Sequence, residues 1–253
     1  MVTGGNLLNC LYPIDGKNSP VAFELITKPI RFCDLKTRRE KRKSEVTQNE
    51  LARQMLQVCT WNQLSFRVVL MDSWFASKDN MTVIRLTLNK AFVRAIQGNR
   101  TVALSALDNM NRRFVQIETR DLQPNVTQHV FLKGVSFPVA VCKHVLRNQD
   151  GSEGVLSVVT SETSLTYDQI TTLYQARWNV EVFHTSLKSH TALTHSPTQT
   201  KATQSTHVFA AIYAVFKREQ LKLKHHMNHF ALRSKIYLTA LKASFQKLQT
   251  LYA

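Results

Sequence analysis

The segment YQARWNVEVFHTSLK places five chemically capable side chains at helical spacing: Tyr174, Arg177, Glu181, His184 and Lys188. At about 100° per residue they fall within a stripe of roughly 80° on one helix face. One carboxylate therefore stands among cations. Carboxylate oxygens bind divalent metal ions, and Arg and Lys bind phosphates. The pattern favours phosphoryl chemistry on a polyanion. The alternative is a surface helix with an ordinary Arg177–Glu181 ion pair.

A metal site needs a second carboxylate, and Asp72 is the best candidate in the sequence. It follows the apolar run Val68–Met71, which is typical of a buried central strand. Open α/β sheets place their chemistry at the carboxyl ends of strands. The helix of Glu181 also has an apolar stripe, which would dock it on a core and hold its polar stripe at the edge. We therefore expect Asp72 and Glu181 to share one site.

The composition favours a nucleic-acid partner. Lys and Arg number 33 against 17 Asp and Glu, a formal charge of +16. Such an excess indicates binding to a polyanion, although an ordinary basic enzyme is the alternative. Four scattered cysteines without a CxxC pair indicate free thiols in a reducing compartment. No signal peptide and no apolar run near the roughly 20 residues of a membrane span are found, so we expect a soluble, cytoplasmic protein.

Hydrophobic patterning predicts an α/β fold. Runs Leu7–Tyr12 and Val21–Ile26 flank a turn-rich segment and predict a β-hairpin. A helix and a strand follow the Asp72 segment. Short β-rich runs then fill residues 98–160 and predict an antiparallel β insertion, and from Tyr167 onward the pattern is helical, with Ser164–Lys188 as one segment.

A basic run, Lys36–Lys43, precedes a predicted helix in which Leu51, Met55 and Val58 lie at helical spacing. Two interpretations of the run stay open. It contacts phosphates, or it is the solvated start of that helix.

The quoted segment resembles the YREK signature of bacterial insertion-sequence transposases with a DDE active site. Tyr174, Arg177, Glu181 and Lys188 match its residue types and gaps. VLMDSWF, which contains Asp72, is similar to the segment of that family's second catalytic Asp. The resemblance covers residues 5 to 223, nearly the whole chain.

The resemblance implies a ribonuclease-H-like fold, a mixed sheet flanked by helices with an antiparallel β insertion and a helical C-terminus. It implies that Asp72 and Glu181 are catalytic and bind two Mg²⁺ ions, for which Mn²⁺ can substitute. It implies that Tyr174, Arg177 and Lys188 bind DNA near the cut transposon end. The substrates implied are double-stranded transposon ends and target DNA, bound by a possible homodimer and cut by in-line displacement in the bacterial cytoplasm, in association with the nucleoid.

The same comparison predicts an organisation and a departure from the family. Residues 1–97 would form the first part of the core, 98–160 the insertion, 161–224 the rest of the core, and 225–253 a helical tail. The chain begins with MVTGGNLLNCLY, which is similar to the second strand of that core. We therefore expect the first strand and its catalytic Asp to be missing, and little activity from this chain alone.

Three hypotheses follow. The chain is a DDE transposase truncated at its N-terminus, a non-catalytic DNA-binding remnant that interferes with a full-length copy, or a basic nucleic-acid-binding protein unrelated to transposition. The third explains the charge but not the spacing around Glu181.

Overall fold

The structure is a computed structural model that describes residues 6–14, 17–118, 123, 125–147, 150–191, 193 and 200–251. The chain divides into two compact units. The larger unit contains Gly4–Leu11 and Val21–Val182, and the smaller contains Met1–Thr3, Tyr12–Pro20 and Phe183–Ala253. In the described ranges, no helix is both long and apolar enough to cross a membrane.

Two small sheets open the chain. Strands β1 (Asn6–Ile14) and β2 (Lys17–Ile26) pair with each other, which confirms the predicted hairpin. Strands β3 (Ile30–Asp34) and β4 (Arg39–Lys43) form a second, antiparallel pair. The basic run is therefore a turn and a strand, and its interpretation as a helix start is wrong. The two strands pair from Ile30 opposite Lys43 to Asp34 opposite Arg39, and Arg38 in the turn adopts a left-handed conformation at φ 51°. This pairing places Arg39–Lys43 in a strand, so no helix begins there.

Helix α1 (Gln48–Trp61) begins only after Thr47, whose side chain accepts a hydrogen bond from the backbone N–H of Glu50 while Glu50 accepts from the backbone N–H of Thr47. This reciprocal cap satisfies two N–H groups that a helix start leaves unpaired. Met55 is buried as its spacing predicts, whereas Val58 is 41% exposed.

Helix α1 joins two parts of the larger unit. The sulfurs of Cys59 on α1 and Cys10 on β1 lie 4.0 Å apart, and Leu56 belongs to the main core with residues of the next strand.

A seven-stranded mixed sheet forms the centre of the larger unit. Its strands are β5 (Val68–Met71), β6 (Ala91–Ile96), β7 (Thr101–Ala103), β8 (Val115–Gln116), β9 (Thr127–Leu132), β10 (Val139–Arg147) and β11 (Glu153–Thr160). Their order is β5-β6-β11-β10-β9-β7-β8, with β5 and β6 parallel and the other neighbours antiparallel. The residues predicted as a β insertion thus supply five strands of the same sheet.

Strand β5 lies at the edge of this sheet, so the prediction of a central strand is wrong for the described part of the chain. Its one hydrogen-bonded neighbour there is β6. The hairpin β1–β2, which comes first in the chain, pairs within itself and does not extend the sheet. Only Val69 of β5 is fully buried, whereas all six residues of β6 are.

Short helical elements connect β5 to β6 and lead from the last strand towards the end of the larger unit. A 3₁₀ turn (Ser73–Phe75) and helix α2 (Lys78–Thr82), which continues into a π-helical turn (Val83–Thr87), follow β5, and α3 (Ala106–Met110) follows β7. After β11 come α4 (Tyr167–Gln175), a 3₁₀ turn (Ala176–Trp178) and α5 (Asn179–His190). The expected single helix over Ser164–Lys188 is therefore two α-helices joined by a tighter turn.

Helices α6 (Lys201–His225) and α7 (His229–Leu251) belong to the smaller unit. Helix α6 buries one stripe, Val208, Ala211, Ile212 and Val215, at the spacing of a helix with one core-facing side. It ends at His226, which adopts a left-handed conformation that closes the last turn. The predicted α/β class, with a mixed sheet, flanking helices and a helical C-terminus, is confirmed.

Candidate active site

Asp72 lies where β5 ends, as predicted. It follows Met71 directly and caps the 3₁₀ turn that comes next, because its Oδ1 accepts hydrogen bonds from the backbone N–H of Ser73 at 2.5 Å and from the Ser73 hydroxyl at 3.2 Å. Asp72 is exposed, so its carboxylate can meet a ligand from solvent. The cap fixes the side-chain direction before anything binds.

Side-chain donors, two of them buried, hold the backbone just after Asp72. The carbonyl oxygen of Phe75 accepts from Arg94 Nη1 at 2.6 Å and from Asn80 Nδ2 at 2.8 Å, and the carbonyl of Ala76 accepts from Arg100. A turn that leaves a strand has carbonyl groups without ladder partners, and leaving them buried and unpaired is costly. These side chains therefore stabilise the segment that carries Asp72.

Sequence reasoning missed Arg94, although the signal was present as one cation in the apolar run AFVRAI. Arg94 is 0% exposed, pairs in register with Met71, and stacks its guanidinium 4.8 Å from the Phe92 ring centre. Burial, helped by the neighbouring charge of Arg100, lowers the pKa of Arg94 to about 9. The group is therefore still a cation at neutral pH, buried beside the Asp72 turn.

Arg177 and Glu181 form a hydrogen-bonded ion pair across one helical turn. Their side chains are 16% and 39% exposed, so the pair is partly withdrawn from water. Arg177 also lies over the Tyr174 ring, with its guanidinium carbon 5.5 Å from the ring centre. The three side chains thus form one connected group, which the i, i+3 and i, i+4 spacing anticipated.

Core packing brings this group to β5. Leu173 and Tyr174 of α4 pack against a buried cluster that includes Val93 of β6, together with Val68 and Leu70 of β5. The 3₁₀ turn that contains Arg177 also packs on β5. Asp72 directly follows that strand, so the packing carries Tyr174 and Arg177 towards it.

The pKa shifts of Tyr174 and Arg177 also indicate that both residues lie near Asp72. Burial raises the pKa of Tyr174, and the charges of Asp72 and Glu181 raise it further against the opposing effect of Arg177. Burial alone would lower the pKa of Arg177, but the hydrogen bond to Glu181, the nearby Tyr174, and the charges of Glu181 and Asp72 together outweigh it and raise the pKa. Both carboxylates therefore act on the same phenol and the same guanidinium. We call Asp72, Tyr174, Arg177 and Glu181 the carboxylate site.

The donor set fits a divalent metal ion. Oε2 of Glu181 is buried and has no hydrogen-bond partner among the described residues, although Oε1 is bonded to Arg177. A buried carboxylate oxygen without a donor is costly unless a cation satisfies it. Oxygen ligands from two carboxylates suit Mg²⁺ or Mn²⁺. In the part of the chain that the structure covers, no group of three or more His, Cys, Asp or Glu could hold a metal ion together.

Lys188 is exposed near the end of α5, two helical turns after Glu181. It belongs to the smaller unit, whereas the carboxylate site belongs to the larger. The structure thus brings four of the five predicted site residues together within one unit, and the DNA-binding role of Lys188 stays a prediction.

A mixed sheet with an acidic residue at the end of a strand, and a second acidic residue paired with an arginine whose turn packs on that strand, agrees with a ribonuclease-H-like fold. The family described as transposase DDE domain matches residues 22–216, most of the chain, and the protein belongs to that family. Members of this family act on DNA and use divalent metal ions. No match was found among curated proteins.

Proposed function

We propose that this protein is a DDE transposase of an insertion sequence of the YREK group, and that the carboxylate site is its catalytic centre. The observation that carries the proposal is geometric: Arg177, which pairs with Glu181, lies in a 3₁₀ turn that packs on β5, and Asp72 directly follows β5. The charges of Asp72 and Glu181, which both raise the pKa of Tyr174 and of Arg177, support it. Oε2 of Glu181 adds support, because it has no hydrogen-bond partner among the described residues and is available for a metal ion.

Each residue has a defined role in this proposal. Asp72 and Glu181 would hold Mg²⁺ or Mn²⁺, which would supply charge neutralisation at the reacting phosphodiester when bound. The hydroxyl of Tyr174, whose pKa burial raises, would donate a hydrogen bond to a phosphate oxygen. Arg177 holds Glu181 with one nitrogen, and its Nε, which is buried without a partner among the described residues, offers a second donor. Lys188 would contact the DNA backbone further along α5.

The reaction is phosphoryl transfer by in-line displacement. Water attacks the phosphodiester at the end of the element and releases a 3′-hydroxyl, and that hydroxyl then attacks a phosphodiester of the target DNA. The residues of the site position the phosphate and favour the charge that develops on it, and preorganised charges of this kind are usually the largest contribution to catalysis. Two protein copies, one on each transposon end, remain the predicted assembly.

We propose further that this chain alone cleaves DNA poorly. The resemblance implies three metal-binding carboxylates, and among the described residues no group of three or more His, Cys, Asp and Glu side chains could hold a metal ion together. The same feature favours a second candidate function, a non-catalytic DNA-binding remnant that interferes with a full-length copy. Such a remnant would reduce transposition when it is produced beside an active transposase.

Manganese binding tests the site independently of activity. Titration followed by the electron paramagnetic resonance of free Mn²⁺ should show binding that Asp72→Asn or Glu181→Gln weakens at least about tenfold. Glu45→Gln, in an exposed loop before α1, is the matched control and should leave affinity unchanged. Equal binding by all four proteins would contradict the assignment of the site.

A nicking assay tests activity. Supercoiled plasmid that carries matching terminal repeats should stay largely intact with this chain and Mg²⁺ or Mn²⁺. Metal-dependent nicking that Asp72→Asn abolishes would contradict the proposed inactivity while supporting the transposase assignment.

A further inference from the structure

The antiparallel pair β3–β4 with its turn, residues 30–43, has no core-facing side. We call it the basic ribbon. Every residue in it is exposed except Asp34, which is half-buried. A two-stranded hairpin is only marginally stable in water unless one face packs on something. Three large apolar side chains stand open on it: Ile30 at 37%, Phe32 at 40% and Leu35 at 90% exposure. Packing within the described chain therefore does not explain why this element exists.

The charge of the basic ribbon is strongly one-sided. It contains seven cations and two carboxylates, a net charge of +5. Both carboxylates are already neutralised inside the ribbon, Asp34 by Lys41 and Glu40 by Arg31 at 3.5 Å. Five cations have no carboxylate partner among the described residues. They are Lys36, Arg38, Arg39, Arg42 and Lys43.

Strand register keeps these cations close together. Arg31 stands directly opposite Arg42, and like charges in that position destabilise a strand pair. On the other face, Lys41 is opposite Phe32, and Lys43 lies 5.8 Å from the centre of the Phe32 ring. The turn adds Lys36 and Arg38 at the tip. The Arg31–Arg42 pair destabilises an isolated ribbon, whereas an anionic surface would offset that repulsion.

We propose that the basic ribbon is a DNA-binding element, separate from the carboxylate site, that contacts the phosphates of duplex DNA. The inference rests on the proposed function, in which the protein acts on DNA. A two-stranded antiparallel ribbon is narrow enough to enter the major groove of B-form DNA, and exposed cations on both faces and at the tip suit the phosphates on either side. Its contribution to affinity is mainly electrostatic and independent of base sequence.

The test compares two variants that lose the same charge. The ribbon variant carries Arg39→Gln, Arg42→Gln and Lys43→Gln. The control carries Lys235→Gln, Lys242→Gln and Lys247→Gln, three exposed cations of α7. Fluorescence anisotropy measures binding to a labelled duplex over a salt series. Each lost phosphate contact reduces the slope of log affinity against log salt by about 0.9. The slope of the ribbon variant should therefore be smaller by roughly 2.7. Its affinity near 0.1 M salt should be lower by a factor on the order of 100. The α7 variant should keep the wild-type slope.

The outcomes separate the two proposals. Wild-type protein without salt-dependent duplex binding contradicts the proposed function and the ribbon together. Wild-type binding with an unchanged ribbon variant contradicts the ribbon alone. Equal losses in both variants mean that net charge decides affinity, which also overturns the proposal. The ribbon variant could also keep its binding to duplex DNA but lose binding to anionic lipid vesicles or to RNA, while the α7 variant binds them normally. That result would overturn the proposal and assign the ribbon to that other partner.

A second variant protects the test against misfolding. Lys36→Gln with Arg38→Asn removes two cations at the turn, and Asn tolerates the left-handed conformation of Arg38 better than most residues. It should reduce the slope by about 1.8, and circular dichroism should show wild-type secondary structure.

Discussion

The carboxylate site and the basic ribbon both hold charged side chains in the larger unit, but they hold them in opposite ways. In the site, Arg177 is 16% exposed and bonded to Glu181, whereas in the ribbon the side chains of Arg31 and Glu40 are 65% and 60% exposed. Buried charges need fixed partners because water no longer stabilises them, and exposed charges do not. The charges of the carboxylate site are therefore preorganised, whereas those of the ribbon stay solvated.

The two regions should differ most in the stability lost when one arginine is removed, Arg94 beside the site or Arg31 in the ribbon. Arg94→Ala removes a fully buried side chain and one donor to the Phe75 carbonyl, so we expect a loss of roughly 2–4 kcal/mol in the free energy of unfolding. Arg31→Ala removes an exposed side chain and an exposed ion pair, and should cost less than about 0.5 kcal/mol. Urea denaturation measures both. Similar losses would break the comparison.

The two ion pairs should differ by a smaller amount. In a double-mutant cycle, Arg177→Ala and Glu181→Ala should couple by roughly 1–2 kcal/mol, because each leaves a partly buried charge without its partner. Arg31→Ala and Glu40→Ala should couple by no more than about 0.5 kcal/mol. Thermal or urea unfolding of the wild type and the six variants of the two cycles gives both energies. A stronger coupling in the ribbon would reverse the assignment of which region is preorganised.

The smallest expected effect is a gain. Asp34→Asn keeps an oxygen that can accept from the backbone N–H of Lys36, now at 3.0 Å, but it releases Lys41 from its ion pair. The net charge of the ribbon rises by one, so the salt slope of duplex binding should steepen by about 0.9. Asp79→Asn on α2 is a control that makes the same charge change elsewhere. An equal steepening in the Asp79→Asn control, or an unchanged slope in Asp34→Asn, would contradict DNA contact by the ribbon.

Local sequence patterns predicted much of this architecture. Alternating and continuous apolar runs located the first hairpin, the β5 and β6 strands and the C-terminal helices, because each pattern reports which face of an element is buried. The spacing of Tyr174, Arg177 and Glu181 predicted that they share a helix face, and a 3₁₀ turn within the segment did not separate them. Asp72 was found from its position after an apolar run.

Other features did not follow from local patterns. A basic run such as Lys36–Lys43 has the same composition in a solvated helix and in an exposed ribbon, so cross-strand pairing alone decides between them. The position of β5 at the sheet edge depends on which distant strands pair with it. Arg94 was missed because a single cation in a strand pattern does not predict its hydrogen bond to the Phe75 carbonyl.

By itself, the sequence determined which side chains could do chemistry and which of them share an element, because helical and strand periods are properties of a few consecutive residues. Only the tertiary structure decided that the turn of Arg177, which pairs with Glu181, packs on β5, the strand that Asp72 follows more than one hundred residues earlier in the chain. It also decided that Arg94 supports the turn after Asp72 and that the ribbon has no core-facing side. The physical reason is that these relations depend on packing between distant segments, which no local pattern encodes.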